Sequence, residues 1–312
     1  MTPITFKQMR LFLALASTGS VSGAARVTNV TQPTASMQLR DITETVGVPL
    51  YEVVSRKIRL TDAGRELERT ARLIGEEWDQ FAQRIDAMKG LRRGRLRVAI
   101  VSTAEYFVPR LVGSFCRRYP DIEVSLEVLN RDGVVRRLRE SLDDLYVMSM
   151  PPDDMALDDQ VFMANPLVLI AASTHPLLRR EGPLALSALS SQRFILREPG
   201  SGTRMAVDRH FRRRGFRPRV RLELGSNEAI KEAVAGGLGL GVVSRHALHG
   251  REREYGVTVL AVDGFPVNSS WHVVHPQQRT VSPIAAAFRE HLLGRDTPVR
   301  RSSRATSRSH LP

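Results

Sequence analysis

The sequence predicts an α/β protein in which a small, mainly α-helical N-terminal domain is joined by one long helix to two α/β lobes. Three observations predict it. Apolar residues recur at helical spacing through the first 46 positions. Seven more, from Leu67 to Met88, alternate spacings of four and three. From Arg95 onward, β-branched runs alternate with helical stretches, which argues for α/β lobes with largely parallel sheets. A chain of 312 residues has room for about two domains.

The elements follow in order. Phe6, Met9, Phe12, Leu13 and Ala16 place a first helix over Thr5 to Ser17, which Gly19 ends. Ser20 can cap a second helix containing Ala24, Ala25 and Val27; its small residues let a third helix cross closely beyond the Thr28-Asn29-Val30 turn. That third helix starts at Thr31, an N-cap, or Gln32, and Pro33 is tolerated in its first turn because a missing N–H costs nothing there. At 100° per residue, Ala35, Leu39, Ile42 and Val46 fall on one side, and Pro33, Ser36, Met37 and Arg40 on the other. One face packs and one is free to touch a partner, as in a helix-turn-helix; an ordinary helical hairpin in a core would share the pattern.

After Gly47, Pro49-Leu50-Tyr51 leads into VVSRKIRL, a short hairpin with a basic tip. As a wing beside the motif it would bring Arg56, Lys57 and Arg59 to phosphates or the minor groove; as a solvated hairpin it would do nothing further. Thr61 then caps the long helix. Its apolar line of Leu67, Ala71, Ile74, Trp78, Phe81, Ile85 and Met88 needs a partner, either a second copy of the chain or the chain's own second domain. A DNA reader that pairs through this helix would match two half-sites about one helical turn apart.

Gly90 to Gly94 mark the boundary. LRVAIV, IEVSLEVL and LYVMSM read as strands, with helices in AEYFVPRLVGSFCRRYP and DGVVRRLRESL between them. A second set runs from VFMANPLVLIAAS through FILRE, a helix over about Thr203 to Arg214, RVRLELG, NEAIKEAVAGG and LGLGVVS; VTVLAV, WHVVHP and the helix SPIAAAFREHLLG follow. The tail from Arg295 to Pro312 is Arg/Ser-rich with few apolar residues and is expected to be disordered. The domain bounds are therefore 1–60, 61–90 for the linker helix, 95–164 with 266–294 for one lobe, and 165–265 for the other, with 295–312 as tail.

A net charge of +13 points to a polyanionic partner, nucleic acid first. The single cysteine, Cys116, lies in an apolar helical pattern, so it reads as a core residue in a reducing compartment rather than a nucleophile. There is no basic-then-apolar leader and no apolar run of the ~18 residues that a span needs, so a cytoplasmic protein without membrane contact is expected. The eight histidines show no metal-ligand spacing, and no catalytic triad stands out; neither a metal nor enzymatic activity is expected. GGLGLG at Gly236 to Gly241 lies between a helix and a strand, the reverse of a dinucleotide loop, and reads as a helix stop.

In FKQMRLFLALASTGSVSGAARVTNVTQPTASMQLR, in PLYEVVSRKIRLTDAG and in the long helix with its two lobes, the chain resembles the LysR-type transcriptional regulators over nearly its whole length, to about Gly294. LYVMSMPPDDM, REPGSGTRMAV and LGSNEAIKEAVAGGLGLGVVSRHAL look like the CbbR group, regulators of Calvin-cycle operons. The resemblance implies a winged helix-turn-helix, a linker-helix homodimer assembling into a homotetramer, a periplasmic-binding-protein-like effector domain, operator DNA, and RNA polymerase as partner. It also implies a reversible small anionic effector rather than a resident cofactor: a sugar phosphate, another phosphorylated metabolite, or NADPH. Met37 stands where many relatives carry arginine, so a bidentate guanine contact is lost and only an apolar one, for instance to a thymine methyl, is left. Thr28 stands where relatives often carry leucine and is expected to loosen the packing of the second helix.

On the DNA side the candidates are Gln32, Pro33, Thr34, Ser36, Met37 and Arg40 on the helix and Arg56, Lys57 and Arg59 on the wing, with Gln32 expected to matter most for base choice. On the effector side, Gly200-Ser201-Gly202-Thr203-Arg204 precede a helix, so free N–H groups, two hydroxyls and a guanidinium would suit a phosphate or carboxylate. A flexible turn capped by Ser201 or Thr203 is the plain alternative. Ser102, Thr103, Ser149 and Asn227, at strand ends and helix starts, join this set or serve only as caps. A small-molecule binding protein whose basic N-terminus serves assembly would need neither the motif, the wing nor the seam.

Overall fold

The protein is described from a computed structural model covering residues 4–54, 57–88 and 94–295. It forms two compact units, Met1–Ile85 and Asp86–Pro312.

In the first unit, α1 (Phe6–Thr18) begins with a capping box in which Thr5 and Gln8 satisfy each other's backbone N–H groups, and it ends at Gly19 in the left-handed conformation. Ser20 caps α2 (Val21–Val27), and Thr31 caps α3 (Gln32–Val46), with Pro33 in its first turn. Leu11, Phe12 and Leu15 of α1, Ala24 and Ala25 of α2, and Ala35, Leu39 and Ile42 of α3 form one core with Leu50. Complete burial of Leu39 or Ile42 contributes about 1.5–3 kcal/mol. Strands β1 (Tyr51–Val54) and β2 (Lys57–Leu60) pair antiparallel, and Ile58 N–H donates to Gly19 O, which ties the hairpin to the motif.

The long helix α4 (Asp62–Met88) is capped by Thr61, whose Oγ1 accepts from Gly64 N–H at 3.1 Å. Gly64 lets the helix touch the hairpin, because a Cβ there would lie 1.9 Å from Leu50 O. The apolar line of this helix divides. Leu67 is half-buried against the core of its own domain and Ala71 is buried, so both offer less surface to a second copy than the heptad pattern predicted. Trp78, Phe81 and Ile85 remain exposed, Ile74 is half-buried, and the side chain of Met88 lies outside what is described.

The second unit holds two five-stranded sheets. Lobe I contains β3 (Gly94–Val101), β4 (Ile122–Leu129), β5 (Leu145–Met148), β6 (Leu157–Ala164) and the late strand β12 (Ser270–Pro276), in the order β4-β3-β5-β12-β6. It is flanked by α5 (Val108–Arg118), α6 (Arg131–Arg139) and α9 (Pro283–Leu292). Lobe II contains β7 (Leu167–Ala172), β8 (Arg193–Arg197), β9 (Arg219–Leu224), β10 (Leu240–Ser244) and β11 (Val257–Val259), in the order β11-β7-β10-β8-β9, with α7 (Gly202–Arg213) and α8 (Asn227–Ala235).

Both sheets are mixed, which corrects the expectation of largely parallel ones: β12 runs antiparallel to β5 and β6, and β7 antiparallel to β10 and β11. The cause is that the chain leaves lobe I through β6 and returns through β12, which are neighbours in register from Ser270 and Ala164. The run VFMANPLVLIAAS is accordingly two strands in different lobes, broken at Asn165-Pro166, where proline has no N–H to give a ladder. The two crossing segments pair through Asn165 N–H to Ser269 O and Leu167 N–H to Val267 O, at 2.8 and 2.9 Å. Cys116 on α5 is only half-buried, not a core residue as the apolar pattern suggested, because its neighbour Phe115 takes the inward position. The expected disordered tail, Arg295 to Pro312, lies outside the described residues except for Arg295, whose N–H donates to Glu290 O at 2.9 Å, and most of the 90–94 boundary lies outside them as well.

Candidate functional site

In the N-terminal unit, α3 packs Ala35, Leu39 and Ile42 inward, and this alone turns Gln32, Pro33, Met37 and Arg40 into solvent, with Thr34 and Ser36 half-buried. Met37 is 58% exposed, a large apolar side chain on a face otherwise polar. Thr34 is partly committed, since its N–H and Oγ1 both meet the Thr31 hydroxyl. Arg59 is exposed on β2; Lys57 begins that strand, and Arg56 lies outside the described residues. Thr28, half-buried at the end of α2, turns its Oγ1 back to donate to Ala24 O at 2.8 Å.

In the second unit the sequence-predicted effector residues divide. Ser102 and Thr103, at the end of β3, meet Asn227, at the start of α8, around a residue the sequence reading missed, Arg197. Its side chain is 2% exposed. Its Nη1 donates to Thr103 Oγ1 at 3.3 Å, and its Nη2 to Ser102 Oγ at 3.2 Å and Gly225 O at 3.1 Å, while Nε and Nη2 hold the Glu198 carboxylate at 2.8 and 3.0 Å. Asn227 Nδ2 also donates to Thr103 Oγ1, at 3.1 Å, and its buried Oδ1 has no partner among the described residues. A signal was present: FILRE ends an apolar strand on an arginine that burial forces to find partners.

Ser149, Gly202, Ser201 and Thr203 make a second group. A Cβ on Gly202 would lie 2.7 Å from Ser149 Oγ, so glycine alone lets the start of α7 in lobe II approach lobe I this closely. The Ser149, Ser201 and Thr203 side chains are buried, and their hydroxyls make no hydrogen bond among the described residues; Ser201 stands at the N-cap of α7 without capping it. Free hydroxyls beside the positive end of a helix suit an anion.

Two candidates depart from expectation. Gly200, at φ +88°, faces the Asp132 carboxylate, with Oδ2 2.3 Å from where a Cβ would stand, so that backbone approaches an acid rather than an anion cradle. The Arg204 guanidinium is turned to Asp208 at 2.9 Å, Glu223 at 2.6 Å and Arg197 O at 2.8 Å, which satisfies it within lobe II. The sequence placed both correctly along the chain but could not show which way they face.

The lobes also meet through Tyr106, whose hydroxyl donates to Glu228 Oε1 at 3.0 Å. Burial first, then the Glu228 charge, raise this phenol well above its ordinary range, so it stays a donor. Glu228 in turn holds the buried Lys231 at 2.6 Å, and that ammonium lies 3.7 Å from the Tyr255 ring centroid. Among the described residues no group of three metal-ligating side chains occurs.

A helix-turn-helix with an exposed polar face, followed by a two-lobed domain with hydroxyls and a buried guanidinium in its seam, defines a ligand-sensing DNA-binding regulator. The chain belongs to the LysR family of bacterial transcriptional regulators: residues 6–65 match the bacterial regulatory helix-turn-helix protein of the lysR family, and residues 89–296 the LysR substrate binding domain. It is 40% identical over 295 residues to the HTH-type transcriptional activator CmpR of Synechocystis sp., covering 95% of this chain and 97% of that protein. It is also 40% identical to the RuBisCO operon transcriptional regulator of Acidithiobacillus ferrooxidans, over 92% of this chain and 93% of that one. Among solved structures, the regulatory domain of Synechocystis CcmR in complex with 2-PG is 45% identical, spans 65% of this chain and 97% of its own, and superposes with a TM-score of 0.62. Full-length CbnR complexed with its target DNA shares the fold at 23% identity, with 92% of this chain and 98% of that one covered and a TM-score of 0.67.

Proposed function

We propose that this LysR-type regulator controls a carbon-fixation operon in response to a small phosphorylated or carboxylated anion bound between its lobes. The observation that carries the reading is the buried Arg197 node, in which a lobe II guanidinium reaches the lobe I hydroxyls of Ser102 and Thr103 with Asn227 beside them. The Arg197 charge is paired with Glu198, so its part is to hold Ser102, Thr103 and Asn227 in the seam, where polar groups shielded from bulk water make each hydrogen bond to an anion worth more than in water. Ser149, Ser201, Thr203 and the α7 amide groups would complete the shell. Support for the regulon comes from relatives named as RuBisCO operon regulators, and support for the ligand class from CcmR, solved with 2-PG.

In this reading Gln32, Ser36, Met37 and Arg40 meet base edges, and Arg59 and Lys57 meet phosphates. The protein holds its effector reversibly and needs no resident cofactor, metal or catalytic step. The exposed edge of α4, where Trp78 packs on Phe6 at 5.5 Å and Phe81 at 5.7 Å between ring centroids, joins two copies into a homodimer; two dimers form the homotetramer. Contact with RNA polymerase and a cytoplasmic location belong to the same reading; no helix among the described residues is long and apolar enough to cross a membrane. The test is thermal-shift titration of the full-length protein with 2-phosphoglycolate, comparing wild type with Thr103→Ala and Thr203→Ala. A saturable shift that both variants reduce is expected; equal shifts in all three proteins would remove these residues from the site.

A further inference from the structure

Between lobe I and lobe II an open cavity of about 530 Å³ lies beside α7 and contains none of the Arg197 node. Arg131, at the start of α6 in lobe I, and Arg209 and Arg213, one turn apart on α7 in lobe II, line it, together with Met150, Met155 and Met205.

Two of the three arginines lack counter-charges, and the third is only weakly paired. Arg209 and Arg213 make no ion pair among the described residues. Arg131 has a side chain only 12% exposed; its Nε donates to Met150 O at 2.7 Å, but the nearest carboxylate oxygen, on Asp132, is 3.9 Å from Nη1. Burial holds the Arg131 guanidinium below its ordinary range although Asp132, Asp153 and Asp154 pull the other way, so these acids only partly offset its desolvation. Of the two acids in the wall, Asp159 is engaged by His272 at 2.6 Å, and Asp153 is exposed. Met150, Met155, Met205 and Pro151 lie among these charged groups and offer an adaptable apolar surface to a flat ring. Its volume is that of a small-molecule pocket.

We propose that this cavity is a second ligand site, for an organic phosphate ester about the size of a mononucleotide. The phosphate is held by Arg131, Arg209 and Arg213, and the apolar or aromatic body rests on the methionines. Because its cations come from both lobes, a ligand here pulls the lobes together independently of the Arg197 node.

Calorimetric titration of the full-length protein with AMP, with inorganic phosphate and adenosine as half-probes, tests this. One saturable AMP site per chain is expected, tighter than either half-probe. Arg131→Gln and the double variant Arg209→Gln/Arg213→Gln should each weaken it at least tenfold, while Thr103→Ala leaves it intact. Arg209 and Arg213 are exposed, so the double variant should fold, which its melting temperature checks. Absence of saturable AMP binding, binding unchanged in the double variant, or loss in Thr103→Ala with the arginine variants unaffected would each overturn the proposal. The last outcome would return AMP to the Arg197 node and leave the reading of that node standing.

Discussion

Replacing Arg197 with methionine keeps the buried stem and removes the guanidinium that spans the lobes. Two bonds cross the seam, to Thr103 and Ser102, at 3.3 and 3.2 Å. A charge-assisted hydrogen bond of good geometry contributes about 1.5–3 kcal/mol, and these are longer than the usual ~2.9 Å, so about 1 kcal/mol each is reasonable. Glu198 loses its bidentate partner but is partly exposed and regains water, which costs about 1 kcal/mol more. The total of about 3 kcal/mol corresponds to a fall of roughly 6–12 °C in melting temperature for a domain of some 200 residues. Differential scanning calorimetry of Arg197→Met, Thr103→Ala and the double variant measures this, and coupling of about 0.5–1 kcal/mol between the two sites is expected because they share a bond. The same variant should lose its stabilisation by 2-phosphoglycolate. A melting temperature within 1 °C of wild type, with the ligand shift retained, would refute the reasoning.

Other expectations follow from the same geometry. Ile42→Ala, at a fully buried position of α3, should cost the N-terminal unit about 2–5 kcal/mol and abolish DNA binding by unfolding, read from urea denaturation. Gln32→Ala should narrow the gap between operator and random DNA by about 1–3 kcal/mol, whereas Arg59→Ala or Lys57→Ala should weaken both and flatten the salt slope; identical behaviour in salt titrations would contradict this division of labour. Trp78→Asp should shift the protein toward monomer in sedimentation velocity and leave the melting of the effector lobes unchanged. Burial first, then Arg214 and Arg213, hold the His210 imidazolium pKa below its ordinary range. The native state therefore binds fewer protons than the unfolded state just below pH 6.5, and this group's contribution to stability is lost as pH falls through that region. His210→Gln should flatten the melting temperature between about pH 5 and 6.5; an unchanged slope would contradict the assignment.

Local signals set much of the fold. Thr5, Ser20 and Thr31 sit one residue before each of the first three helices, and the 3.6-residue period of Ala35, Leu39 and Ile42 decides which face of α3 meets solvent. Four features were hidden because they depend on how the chain folds back on itself. Strand direction in the sheets follows from the double crossing between lobes, which periodicity cannot carry. The effector residues at β-strand ends were recognisable by type, but Arg197 acquires its meaning only when Ser102 and Thr103, about 95 residues earlier, are brought against it. Gly200 and Arg204 belong to the same short motif as Gly202 and Thr203, yet face carboxylates, and only the fold of lobe II and α6 determines that. Leu67 fits the heptad and nevertheless packs on the core of its own domain, and Ala71 is buried.

In the proposed function, α3 reads DNA under the control of a ligand held between the lobes. Fluorescence anisotropy of the full-length protein on a two-half-site duplex from upstream of its own gene, against a scrambled duplex, with and without 2-phosphoglycolate and over a range of salt, tests it most directly. Affinity for the natural site about 10³-fold or more above the scrambled one, steeply salt-dependent and altered by the ligand in wild type but not in Arg197→Met, is the predicted result. Equal affinity for both duplexes, unmoved by the ligand, would contradict it.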